Sequence, residues 1–287
     1  MPPRSRSPVE WVWDELKVAG SSVGASANEG NRADAMPMVR RIGVADLGHA
    51  LRQGLQDFQV ARSDVAFLCC LYPVAGLVLA RIAMGQDALA LVFPLVAGFA
   101  LVGPIFGVGL NEMSRRREAG DRVSWVDAFG VVRSHAFGRI VLFGLLLVTI
   151  FLLWLVAAGL LYDATLGTTL GPEAPASIGA FISDVFGSNQ GWVMIIAGIG
   201  IGFLFAIFVL AISVITFPLL LDRDVRLETA IGTSIRVFAT NPLPILAWGV
   251  IIAGGLVIGS IPLLIGLVIV FPVLGHATWH LYRRVIW

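Results

Sequence analysis

Apolar residues run along this chain in long blocks, and the block lengths decide the reading. Five stand out: about 65–84, 88–110, 140–162, 192–221, and one from Leu243 to Tyr282. A helix crossing a hydrocarbon layer ~30 Å thick needs about 20 mostly apolar residues. Four blocks fit one crossing each. The fifth holds roughly 40 residues, which as one helix at 1.5 Å per residue would be about twice too long. The stretch IGSIP, residues 258–262, places Gly, Ser and Pro at its midpoint. A break there divides it into spans 243–259 and 262–282. The pattern predicts six transmembrane helices.

Between the spans a shorter pattern recurs. LGHAL (47–51), WVDAF (125–129) and LETAI (227–231) share the form apolar-x-x-Ala-apolar, each shortly before an odd-numbered span. Leu47, Leu51, Leu55 and Phe58 fall at helical spacing, as do Leu227, Ile231, Ile235 and Phe238, which predicts amphipathic helices lying along the membrane surface. The chain therefore reads as an all-α integral membrane protein. Its six transmembrane helices form three helical hairpins, each preceded by a cytoplasmic amphipathic interfacial helix. Residues 1–38 read as a polar cytoplasmic tail, with one short amphipathic helix in VEWVWDELKVAG and a flexible Gly/Ser/Ala/Asn-rich linker after it. They lack the apolar core of a signal peptide. Residues 39–287 form the six-span membrane domain.

Composition agrees with this picture. The chain is 57% hydrophobic and only 14% charged, with a mean hydropathy of +0.86, an excess of apolar residues that a soluble core could not absorb. The net charge of +1 gives no reason to expect nucleic acid. Cys69 and Cys70 are adjacent in an apolar run and read as packed thiols, since neighbours on a helix point about 100° apart.

The placement of charge adds orientation. Short cytoplasmic loops are enriched in Lys and Arg because positive charge resists translocation. Arg115, Arg116, Arg117, Arg122, Arg133 and Arg139 follow span 2; Arg223, Arg226 and Arg236 follow span 4; Arg283 and Arg284 follow span 6. Arg40, Arg41, Arg52 and Arg62 precede span 1. The opposite side holds Arg81 alone. The expected location is a bacterial inner (cytoplasmic) membrane, with both termini cytoplasmic. Within the spans, Gly103/Gly107, Gly198/Gly202 and Gly255/Gly259 are small residues four apart, which let helix backbones approach closely. Pro73, Pro94, Pro104, Pro218 and Pro272 interrupt the apolar runs, as membrane helices tolerate.

Candidate chemistry is sparse. His276 and His280 lie four apart in LGHATWHLYRR, a spacing that can present two imidazoles to one metal. Ala277 stands where a zinc protease would need Glu. The alternative is an interfacial belt shared with Trp279, Tyr282 and the terminal arginines. A polar edge at the span ends, made by Asn111, Glu112, Arg115, Arg116, Arg117, Asp222 and Arg223, is the other candidate functional site. Glu112 is expected to pair with Arg115 and Arg116, three and four residues on. Mid-span positions offer only hydroxyls such as Thr149, Ser213 and Thr216, where a proton-coupled transporter would place a carboxylate or histidine. No catalytic constellation emerges, and no cofactor is expected.

Three stretches, VRRIGVADLGHALRQGLQDF, FPLVAGFALVGPIFGVGLNEMSRRREAG and FPVLGHATWHLYRRV, resemble the family called domain of unknown function 2189. The resemblance runs from about Val39 to the C-terminus. It implies a bacterial integral membrane protein without an assigned activity. Some members are labelled cytochrome c oxidase subunit I, but that catalytic subunit needs six histidines and about twelve spans, whereas four histidines occur here. The expected role is a non-enzymatic accessory, scaffold or assembly component of a membrane complex. Its partners would be membrane lipids and other subunits of that complex, with no nucleic acid. The alternative is a transporter or lipid-handling protein with a pathway between the hairpins.

Overall fold

A computed structural model describes residues 37–69, 81, 107–167, 178–262 and 265–287. Most of spans 65–84 and 88–110 lies outside the described residues, as do the tail helix, Cys70, Gly103 and the prolines at 73, 94 and 104. The chain forms α1 (Val44–Cys69), α2 (107–118), a 3-10 helix (Trp125–Arg133), α3 (Phe137–Ala164), α4 (Ile178–Gly187), α5 (Asn189–Ser213), α6 (Thr216–Asp222), α7 (Leu227–Thr240), α8 (Pro242–Ser260) and α9 (Leu267–Val285). No strand occurs among the described residues. One antiparallel bridge joins Val39 to Ile286, with Arg40 N–H donating to the Val285 carbonyl at 2.8 Å.

Three stretches are long and apolar enough to cross a membrane: Phe137–Ala164, Asn189–Asp222 and Pro242–Ser260. They coincide with the expected spans 140–162, 192–221 and 243–259. Few of their residues are fully buried, 33%, 11% and 17% of the apolar window, and large apolar side chains such as Leu153, Phe203 and Val257 are exposed. That leaves long apolar faces for lipid or for other helices. The second of these breaks at Val214–Ile215 before α6. Pro218 explains the position, because its ring clashes with the carbonyl four residues earlier and it has no N–H to continue the ladder. The chain also breaks between Ser260 and Leu267, at and just beyond IGSIP. The turn is tight: a Cβ on Gly266 would lie 2.7 Å from the Gly259 carbonyl oxygen. α9 covers the expected sixth span, but its second half carries His276, His280, Arg283 and Arg284, and by length and composition it does not qualify as a crossing helix.

Small residues set the close approaches. A Cβ on Gly202 would meet the Trp154 ring of α3 at 2.9 Å, and one on Gly255 would meet Val270 of α9 at 3.2 Å. A further close approach was not foreseen: a Cβ on Gly54 would lie 2.6 Å from both Ala277 N and the Val273 carbonyl oxygen, so α1 crosses α9 nearly backbone to backbone. This changes the reading of α1. The expected inward face was Leu47, Leu51, Leu55 and Phe58. Leu47 is buried and Leu51 and Phe58 pack partly buried against the core, whereas Leu55 is exposed; the most buried row is Leu47, Ala50, Gly54 and Asp57. A protein helix, rather than a membrane surface, selects that face, and close crossing favours small side chains over bulky ones.

The recurrent five-residue pattern takes two forms. LGHAL and LETAI lie in α-helices, while WVDAF forms the 3-10 helix. In all three the alanine is buried, at Ala50, Ala128 and Ala230. The core gathers around α6, where Phe217, Leu219 and Leu220 are enclosed and Phe143 meets Phe217 edge-on at 4.9 Å.

Candidate functional site

Most of the charged contacts converge on the end of the bundle where α2, α6 and α9 finish. α2 stops at a glycine: Gly120 has φ +90°, the Gly120 N–H bonds to the Arg117 carbonyl, and the Asp121 N–H bonds to the Arg116 carbonyl. That is a left-handed helix cap of the kind glycine favours. Just before it, three consecutive arginines fan out at about 100° intervals, two of them reaching Glu112 and the third Asp57.

Glu112 is the first target. Its side chain is only 2% exposed. Arg115 donates to both its oxygens, Nε to Oε2 at 2.7 Å and Nη2 to Oε1 at 2.9 Å, and Arg116 Nε donates to Oε1 at 2.7 Å. The expected pairing is therefore present, and the carboxylate in it is buried. Arg116 reaches on to Asp127 at 2.7 Å, and Asp127 in turn accepts from the Ser124 N–H at 2.7 Å, which holds the 3-10 helix against α2. Burial works to raise the Glu112 carboxyl, yet the two arginines outweigh it and hold the group below the usual carboxylate range.

Arg117 turns the other way, to Asp57 of α1, with Nη1 to Oδ1 at 2.6 Å. Asp57 Oδ2 accepts from Ser114 Oγ at 2.6 Å and from His280 Nε2 at 2.9 Å. Ser114 Oγ also lies 2.8 Å from His276 Nδ1. Burial again acts to raise the acid, and hydrogen bonds from His280 and Ser114 prevail, so Asp57 too sits below the ordinary carboxylate value. Proton bookkeeping then sets the imidazoles. An ionised carboxylate only accepts, so the single Ser114 proton goes to Asp57 and His276 Nδ1–H donates to Ser114. For a neutral ring, His276 Nε2 then holds a lone pair, and that buried atom has no hydrogen-bond partner among the described residues.

The remaining polar groups of α9 tie it to the same end. Trp279 Nε1 and Arg283 Nε donate to Glu118 at 2.9 and 3.0 Å, Tyr282 donates to Asp222 at 2.5 Å, and Arg284 pairs with Asp46 at 2.8 Å. Trp279 and Tyr282 are fully buried, with their polar atoms turned to Glu118 and Asp222. His276 and His280 address Ser114 and Asp57 rather than a shared point, and among the described residues no three metal-ligating side chains come together. Arg223 donates to the Trp287 carbonyl. Arg139 is 5% exposed and binds Asp224 at 2.6 Å and the Val225 carbonyl at 2.7 Å. Asn111, next to Glu112 in sequence, is buried with its Oδ1 unpartnered among the described residues.

Asp57, Ser114, Glu118 and Arg139 were not singled out from sequence. A signal existed for Asp57, which continues the helical row Leu47, Ala50, Gly54. An acid on a face of small, packing residues is a sign of a buried partner. For Ser114 and Glu118 the partners lie some 160 positions away, and no local spacing announces them.

An all-helical chain with crossing-length apolar helices and ion pairs gathered at their ends is an integral membrane protein. Residues 92–222 match the model of a family described as "Predicted integral membrane protein (DUF2189)". The other two stretches that carry the resemblance, 39–58 and 271–285, lie outside the matched residues and pack against each other as α1 and α9. No curated protein and no solved structure matches the chain.

Proposed function

We propose that this is a multi-pass protein of a bacterial inner membrane, with both termini cytoplasmic, that acts without catalysis as an accessory, scaffold or assembly component of a membrane complex. The observation that carries the reading is the contrast between its apolar helices and its charged end. The long helices have few fully buried residues, and large apolar side chains such as Leu153, Phe203 and Val257 stand exposed along them. Hydroxyls along the helices bond back to their own helix, as Thr149 does to the Leu145 carbonyl and Ser260 to the Leu256 carbonyl. Such helices offer surface to neighbours rather than a polar path through the bilayer. The ion pairs join Arg115, Arg117, Arg139, Arg283 and Arg284 at one end, and positive charge gathered there supports the cytoplasmic assignment. The six spans and three hairpins belong to the same proposal.

Extraction of the full chain in a mild detergent, followed by native mass spectrometry, tests the role. A defined complex with fixed stoichiometry is the expected result. A chain that runs alone and moves a solute in proteoliposomes would favour the alternative, a transporter or lipid-handling protein. That alternative draws its support from a cavity of about 290 Å³ at the arginine-rich end, lined in part by Asp57, Ser114 and His276.

A further inference from the structure

We infer that this cavity is a binding site for an ethanolamine phosphate head group, whichever role the protein has in a complex. The argument begins with His276. Its side chain is 2% exposed, it lines the cavity, and with Nδ1 engaged by Ser114 the group it has left to offer is the Nε2 lone pair. A buried nitrogen acceptor without a partner is costly, and the group that satisfies it must bring an N–H or O–H.

The rim specifies the rest. Asp121 and Arg122, adjacent on the loop after α2, both line the cavity, are exposed, and make no ion pair among the described residues. Arg117 uses Nη1 on Asp57, which leaves further guanidinium donors of its five. Asp57 accepts from Ser114, His280 and Arg117, and its charge is matched by that of Arg117. The cavity thus offers the Asp121 carboxylate and one buried lone pair to a cationic donor, and the Arg122 guanidinium with the remaining Arg117 N–H groups to an anion. A zwitterion carrying a primary ammonium and a phosphate ester answers all of them. Met113 and Val123 give the wall an apolar character. At roughly 30 Å³ per water the space amounts to about ten waters, enough for such a head group but not for acyl chains. The head group could come from phosphatidylethanolamine or from free phosphoethanolamine.

The test uses the purified full-length protein and lipids that differ in one feature. Phosphatidylcholine keeps the charges of phosphatidylethanolamine but has no N–H, so it cannot satisfy Nε2. Native mass spectrometry with each lipid should show phosphatidylethanolamine retained roughly five- to tenfold better, the worth of one hydrogen bond at a buried acceptor. His276→Leu should abolish that preference. Arg122→Ala, on the exposed rim and harmless to packing, should weaken retention several-fold while keeping the preference. Free phosphoethanolamine that raises the melting temperature when phosphatidylethanolamine is not retained would support the site and name the soluble source. Equal retention of the two lipids with no response to phosphoethanolamine would overturn the inference. So would a preference unchanged in a folded His276→Leu variant, or no effect of Arg122→Ala.

Discussion

Glu112 and Asp57 are both buried carboxylates at the same end of the molecule, and both take arginine donors from α2. They differ in where their partners come from. Glu112 is bound by Arg115 and Arg116 from the next turn of its own helix. Asp57 is bound by Ser114 and Arg117 of α2 and by His280 of α9, so its site exists only when three helices have come together. The first network stiffens one helix end. The second holds the bundle closed. Burial and charge alone do not distinguish these roles; the distance along the chain between partners does.

The comparison is broken most severely at the α1–α9 crossing. Gly54→Val places side-chain atoms where Ala277 and the Val273 carbonyl already lie. Overpacking together with loss of the Asp57 contacts should cost more than about 4 kcal/mol. Denaturation in detergent should therefore show far less folded protein, and a loss no larger than that of Glu112→Gln would show that the crossing can relax.

Asp57→Asn comes next. It removes the charge from a site that holds Arg117, Ser114 and His280, and the expected loss is about 3 kcal/mol. Glu112→Gln should cost less, about 1–2 kcal/mol, because Arg115 and Arg116 are each about a third exposed and can turn to water. Equal losses from the two substitutions, measured under one denaturing condition, would erase the distinction drawn between them.

Acid provides a gentler probe. Both carboxyls are held below their ordinary values, so the stability they contribute is complete above roughly pH 4, the unfolded range. It is lost as pH falls through the lowered folded values. Melting temperature should then fall below about pH 4, and part of that fall should be missing in Asp57→Asn. The smallest effect is expected of Asp46→Asn, whose pair with Arg284 is about a third exposed on both sides and should be worth under about 1 kcal/mol.

The same locality explains how much could be read from sequence. Block length and apolar content placed α3, α5 with α6, and α8, because crossing a bilayer is a property of one segment. The Glu112 pairs were legible for the same reason, being three and four residues apart. The apolar row of α1 was read only in part: Leu47, Leu51 and Phe58 do pack on the core, but the closest crossing is made by Ala50 and Gly54, small residues that carry no amphipathic signal. The histidines of α9 stood out as a pair, yet each belongs to a partner on another helix, and spacing along one helix could not reveal that. α4 lies where only a loop was expected, since ten residues are too few to leave a spanning signature.

The separation of Asp57 from His280, 223 positions along the chain, also has a consequence for biogenesis. At a synthesis rate of about 5–20 residues per second, the acid emerges roughly 10–45 s before the imidazole that will hold it. During that interval α1 cannot make its crossing with α9, and its inward row of small residues faces something else. Insertion machinery or a chaperone that shelters a nascent helix would have its longest task here, at the first helix rather than at the more apolar ones that follow. Variants that weaken the closing contacts should accordingly show their defect first as degradation of newly made chains, before any loss of the mature protein is seen.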